Sequence, residues 1–130
     1  MAGVQIDALD HVVFTVADVE ATCAFYERVL GLQVVRGADG RTALHFGTQK
    51  INLHQAGHEF EPKARCPAPG AGDLCFLTST ELPAVLDHLR HHGVAVELGP
   101  VEREGATGHL TSVYFRDPDG NLIEVANLHG

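Results

Sequence analysis

Apolar and polar residues alternate along LDHVVFTV (9–16), and β-branched side chains dominate it; the pattern predicts a strand. Asp18 follows as a helix N-cap with Glu20 in the first turn. Val19, Cys23, Tyr26, Val29 and Leu30 then recur near a 3.6-residue period, and Gly31 stands where such a helix ends. Three short strands are expected around LQVVR (32–36), RTALHF (41–46) and KINLHQ (50–55), with turns at 37–40 and 47–49. The stretch 57–71 has no periodicity and holds Pro62, Pro67 and Pro69, so it reads as an irregular crossover or a functional loop.

The same plan then starts again. GDLCFLT (72–78) predicts a strand, Thr80 an N-cap, and Leu82, Val85, Leu86 and Leu89 a helix that Gly93 ends. VAVEL (94–98) predicts a strand, followed by a polar loop (99–107), the strand LTSVYFR (110–116), a DPDG turn and the strand NLIEVANL (121–128). Moving 62 positions along the chain carries His11 onto Asp73, Asp18 onto Thr80 and Gly31 onto Gly93. Allowing a longer late loop, a move of 70 carries His54 onto Glu124. This repeat of punctuation predicts an α+β fold of two βαβββ modules in a single domain. Module one spans 8–56, the crossover 57–71 and module two 72–128.

Side chains alternate across a strand, so each strand can be given two faces. His11, Val13 and Thr15 share one face of the first strand, against Val12, Phe14 and Val16 on the other. Lys50, Asn52 and His54 oppose Ile51 and Leu53; Leu122, Glu124 and Ala126 oppose Ile123 and Val125; Ser112, Tyr114 and Arg116 oppose Thr111, Val113 and Phe115. On several strands one face is mainly apolar. The other carries isolated polar groups among small or apolar neighbours, the character of a cupped, partly buried surface. The repeat places His11, Asp73, His54 and Glu124 at equivalent positions on it. Two imidazoles and one or two carboxylates from different strands form a ligand set for a divalent transition metal. A lone strand histidine is more often a hydrogen-bonded or exposed residue, so the repeat is what gives this reading its weight.

Composition narrows the classes further. The net charge is −8 and the basic residues are scattered, which disfavours a nucleic-acid partner. No apolar run approaches the ~18 residues of a membrane span. The beginning, MAGVQIDALD, has neither a basic region nor an apolar stretch, so a cytoplasmic location is expected. Three cysteines without a CxxC pair read as reduced residues used mainly in packing. His88, His91 and His92 fall in the last turn of the second helix, where imidazoles suit the helix dipole better than a metal. Lys50 and Arg116 would attract an anionic substrate, or stand as solvated edge charges.

LDHVVFTV, ATCAFYERVLGLQVV and YFRDPDGNLIEV resemble the vicinal oxygen chelate superfamily, which includes glyoxalase I, fosfomycin- and bleomycin-resistance proteins and extradiol dioxygenases. The motifs are H-x-x-F, FY-x-x-x-LG and DPDG-x-x-x-E, and the resemblance covers nearly the whole chain. INLHQAGHEFEPKA is similar to the subgroup of glyoxalase domain-containing protein 5 and bacterial relatives labelled virulence proteins. The resemblance implies paired βαβββ modules cupped around a divalent metal (Zn, Ni, Mn, Co or Fe), with ligands from the first and last strands of each module. His11 and Glu124 match two of these positions. Asp73 stands where many members carry histidine. The glyoxalase I glutamate of the first module aligns with Asn52, while the repeat favours His54, two residues on and on the same face.

The expected metal ligands are therefore His11, His54 and Glu124. Asp73 is a further ligand, hydrogen-bond partner or base, and Tyr114 a second catalytic group. Asn52 and Ser112 are expected to bind substrate. Ser112 and Tyr114 match a Ser and Tyr that fosfomycin-type proteins carry before the DPDG turn, although Tyr114 equally reads as a core aromatic with a polar tip. The implied activity is glyoxalase I-like lyase or isomerase chemistry on a small molecule, in a homodimer. The alternatives are an extradiol ring-cleaving dioxygenase and a metal-free protein that sequesters a drug or metabolite.

Overall fold

A computed structural model describes residues 3–129. Module one comprises β1 (His11–Val16), α1 (Val19–Leu30), β2 (Gln33–Arg36), β3 (Thr42–Phe46) and β4 (Gln49–Gln55). Module two comprises β5 (Asp73–Leu77), α2 (Leu82–His91), β6 (Leu98–Glu104), β7 (His109–Arg116) and β8 (Leu122–His129). Each module forms its own four-stranded mixed sheet, in the orders β1-β4-β3-β2 and β5-β8-β7-β6. The first and last strands of each module pair in parallel; the other pairs are antiparallel. The α+β class and the two βαβββ modules are those the sequence predicts.

The local signals explain α1 closely. Asp18 accepts a hydrogen bond from the Ala21 N–H (3.0 Å), and Gly31 takes the left-handed conformation (φ 67°) that ends the helix. α2 departs from expectation. Its N-cap is Glu81, with no side-chain cap, instead of Thr80. Asn127 on β8 supplies the missing acceptor: its Oδ1 takes the Leu82 N–H (3.0 Å) while its Nδ2 donates to the Thr78 and Thr80 carbonyls (2.9 Å each). β6 also departs, because residues 94–97 are irregular and the strand runs through the segment expected to be a loop. Val94 and Val96 still pack on the core, but the backbone partners of β7 come from Leu98 and Val101–Glu104, with a bulge between Leu98 and Val101.

The apolar sheet faces and both helices form one core. Phe14, Tyr26, Val29 and Ile51 of module one meet Leu89, Val113, Phe115 and Ile123 of module two within it. Each fully buried aliphatic or aromatic side chain contributes about 1.5–3 kcal/mol to this association. Phe25 packs on Phe115 (centroids 6.4 Å apart) and Phe46 on Phe76 (5.1 Å), so aromatic contacts bridge the modules. The modules are thus joined through their helix-bearing sides, and the opposite, polar-containing faces turn outward.

The DPDG turn fastens this arrangement. Asp117 is buried (6 % exposed) and accepts from the Tyr26 hydroxyl (2.6 Å), the Asn121 side-chain amide (2.7 Å) and the backbone N–H groups of Asp119 (2.9 Å) and Asn121 (3.0 Å). Asn121 Oδ1 accepts the Gly72 N–H (2.7 Å), and the Asp119 carboxylate accepts the Ala17 N–H (3.3 Å to each oxygen). One turn therefore ties α1, the β1–α1 loop and the start of β5 together.

β1 and β5 are edge strands, each paired on one side only. Val12 and Val13 on β1 and Leu77 on β5 are exposed. Among the described residues no helix is long and apolar enough to cross a membrane.

Candidate functional site

On the outward face of the first sheet, residues meet in rows across the strands. His11 pairs with Lys50, and Lys50 with His45; Val13 pairs with Asn52, and Asn52 with Ala43; Thr15 pairs with His54. His11 is half-exposed, with its Nδ1 2.9 Å from Asp10 Oδ2. His54 is only 8 % exposed, because Phe60 packs edge-on against its ring (centroids 5.5 Å apart). The Arg41 guanidinium lies 4.3 Å from the Phe60 ring centre. Lys50, Asn52, His54, His45 and Phe60 line a cavity of about 300 Å³. His54 also lines a second cavity of about 650 Å³, between β1 and the crossover, with Thr15, Lys63 and Cys66.

The register changes two expectations. Along the parallel β1–β4 pair His54 lies level with Thr15, four residues beyond His11. At about 3.3 Å per residue this separates the two positions by roughly 13 Å, too far for both imidazoles to reach one ion from the same sheet face. The repeat is also displaced. Asn52 pairs with Val13 as Glu124 pairs with Cys75, and Lys50 pairs with His11 as Leu122 pairs with Asp73. With His11 on Asp73, the equivalent of Glu124 is therefore Asn52, a move of 72 and not 70. Turn punctuation misplaced it because the β3–β4 turn is tighter than the DPDG turn.

The outward face of the second sheet holds oxygen donors. Asp73, Glu124, Tyr114, Arg103 and Glu97 line a cavity of about 400 Å³. Glu124 lies beside the Cys75 thiol, which burial and then this carboxylate push up to about 11. The Tyr114 hydroxyl is also raised, chiefly by desolvation; Arg103, whose Nε donates to it (3.0 Å), opposes the shift, and Glu124 adds to it. Arg116 is held by both oxygens of Glu97 (2.9 and 3.0 Å), which pulls that carboxyl below its usual range. Ser112 is fully buried on this face, level with Ala126, and its hydroxyl has no hydrogen-bond partner. Ser112 lines none of these cavities, and an ordered water is the usual partner of such an orphan.

The two lined surfaces share no residue. Among the described residues of one chain, no three His, Cys, Asp or Glu side chains gather as a metal-holding group. His11, Asn52 and His54 stand on one sheet, and Asp73, Ser112, Tyr114 and Glu124 on the other. Cys75 was legible, since alternation from Asp73 puts it on the same face. Arg103 carried no such signal, because its strand was expected to be loop. His88 is part of the packing: its Nε2 lies 2.9 Å from the Val29 carbonyl oxygen.

Comparison with known proteins gives a consistent picture. The family model described as Glyoxalase/Bleomycin resistance protein/Dioxygenase superfamily matches residues 8–125. The chain is 54% identical over 121 residues to virulence protein STM3117 of Salmonella typhimurium strain LT2, covering 93% of this chain and 84% of that one. The crystal structure of that virulence protein superposes with a TM-score of 0.95, covering 97% and 100% of the two chains at 52% identity. A glyoxalase domain-containing protein RDO1 of Mycosarcoma maydis is 51% identical over 123 residues, 95% of this chain and 69% of that one. Lactoylglutathione lyase from Agrobacterium tumefaciens is 27% identical with a TM-score of 0.72, covering 94% of each chain.

Proposed function

The chain belongs to the glyoxalase/bleomycin resistance protein/dioxygenase superfamily, and from this premise we propose that it is a divalent-metal-dependent enzyme acting on a small molecule by glyoxalase I-like lyase chemistry, with each metal site completed between two chains. The observation that carries this reading is the pair of equivalent positions, His11 with Asn52 on one sheet and Asp73 with Glu124 on the other. Each outward face supplies half of a ligand set. The exposed apolar edge strands β1 and β5 support a pairing of chains that would bring unlike faces together. The likeness to a lactoylglutathione lyase supports the lyase class.

His11, Asp73 and Glu124 would hold the ion, with the Asn52 amide oxygen as a fourth donor. One imidazole nitrogen and three oxygens suit Mn, Fe, Co, Ni or Zn. This set has one histidine instead of the two of the facial non-haem iron arrangement, so it lends less support to ring-cleaving dioxygenation. The ion would act as a Lewis acid on adjacent substrate oxygens. His54 lies one side-chain repeat beyond Asn52, roughly 7 Å along the strand; buried against Phe60, it is held to take a proton from the substrate. Tyr114, oriented by Arg103, donates a hydrogen bond to the bound molecule.

Metal analysis of the purified, metal-reloaded protein tests this assignment. His11→Ala, Asp73→Asn and Glu124→Gln are expected to lose the ion, and His54→Ala to retain it. A wild type that takes up no divalent ion would end the proposal. Loss of the ion in His54→Ala together with retention in Asp73→Asn would restore the ligand set His11, His54 and Glu124.

A further inference from the structure

Seven of the nine lysine and arginine side chains have a partner. Arg36, Arg41, Lys63, Arg90 and Arg116 pair with Glu20, Asp39, Glu61, Asp87 and Glu97; Arg28 donates to the His92 carbonyl and Arg103 to the Tyr114 hydroxyl. Among the described residues Lys50 and the exposed Arg65 of the crossover have none. Lys50 is half-buried on the outward face of the first sheet. A free ammonium on a concave face is unexpected in a chain of net charge −8, where a carboxylate neighbour is easily supplied.

Its neighbours deepen the contrast. Lys50 is level with His11 on β1 and with His45 on β3, and His45 is level with Gln33 on β2. The row across the sheet is therefore His11, Lys50, His45 and Gln33, all nitrogen-bearing side chains. The next row along is Val13, Asn52, Ala43 and Val35, and it carries no charge. The carboxylates nearby are engaged elsewhere: Asp10, just before β1, by His11 Nδ1, with Lys50 a minor influence on it, and Asp39, on the same cavity wall, by Arg41. An imidazole keeps an N–H donor in either protonation state, so Lys50 and His45 can both donate to one oxyanion.

We infer that Lys50 and His45 form a subsite for a compact oxyanion, a carboxylate or a phosphonate-type group, on the substrate of this site. The inference rests on the proposed metal site, and it names the substrate class that site takes. Neighbouring strands lie about 4.8 Å apart, so the anionic group sits roughly 5–10 Å from the His11 position. The substrate is then a small acid with its chelating oxygens a few bonds from its charged end. Arg41 is not part of the subsite, because Asp39 and Phe60 occupy its guanidinium.

The test is a titration of metal-stripped protein with inorganic phosphate, and in a second arm with acetate, followed by the histidine ring resonances. Saturable shifts are expected at His45, with none at His88, His91 or His92. Lys50→Ala should weaken binding about tenfold or more while Lys50→Arg retains most of it. The tighter arm identifies the anion. Equal affinity in Lys50→Ala, absence of binding in both arms, or shifts confined to other histidines would overturn the subsite. A protein that binds phosphate through Lys50 but takes up no metal would retire the metal proposal alone. One that takes up metal while phosphate ignores Lys50 would retire the subsite alone.

Discussion

Asp117 and Glu124 lie on one hairpin, and they have opposite surroundings. Asp117 is buried in the turn and saturated: two side chains and two backbone N–H groups donate to it. Glu124 projects from the outward face of β8 among a thiol, a phenol and the open cavity, with no cationic partner among the described residues. A carboxylate whose lone pairs are all used serves the fold. One left half-buried without a cation is free to take the ion proposed for this site. Sequence position does not separate the two; the donors around them do.

The largest effect expected is therefore on stability, at Asp117. Asp117→Ala leaves buried donors unpaired and should lower unfolding free energy by about 3 kcal/mol or more, whereas Glu124→Gln should change it by less than about 1 kcal/mol. Urea unfolding midpoints measure both. Similar losses at the two positions would erase the distinction between them. Tyr26→Phe should cost less, about 1.5–3 kcal/mol, since it removes one bond to a charged group.

A smaller effect sharpens the description of Glu124. The Cys75 thiol is exposed but pushed up to about 11, so little thiolate is present at pH 8. Removing the neighbouring charge in Glu124→Gln should speed alkylation of Cys75 several-fold, read by peptide mass spectrometry with exposed Cys66 as the internal reference. An unchanged Cys75 rate would mean that the carboxylate does not lie beside the thiol.

The smallest effect comes from neither region. His109 sits between Glu104 (2.9 Å) and Glu102, whose hydrogen bonds raise its pKa. A raised histidine value stabilises the fold fully below its unfolded value, and this contribution disappears as pH rises through the folded value. Thermal midpoints should thus fall slightly as pH rises from about 6.5, and His109→Asn should flatten the profile. The group is exposed and the change is small. A slope that survives His109→Asn would mean that this contact does not set the pH dependence.

Much of this was readable from local signals. Asp18, Gly31 and the alternation of β1, β4 and β8 specify their own geometry, because capping and pleat act over a few residues. The outward faces, one carrying His11 and Asn52 and the other Glu124, followed from period two. What failed depended on distant partners. Thr80 has good cap chemistry, yet Asn127 does the capping from β8, 45 residues away. β6 is polar enough to read as loop, and only its pairing with β7 makes it a strand. His54 was matched to Glu124 through turns of unequal length, whereas backbone register selects Asn52. The separation of the two outward surfaces has no sequence signature, since alternation reports a face and not what stands opposite it.

In the proposed enzyme a site takes His11 from one chain and Asp73 and Glu124 from another. The direct measurement is metal content after mixing two variants, His11→Ala and Glu124→Gln, unfolded and refolded together. Each variant alone is expected to hold no ion. A mixed dimer has one site carrying both changes and one carrying neither, so random mixing should restore about a quarter of the wild-type content. Recovery at that level would match the shared site; no recovery, from variants that mix and pair normally, would contradict it.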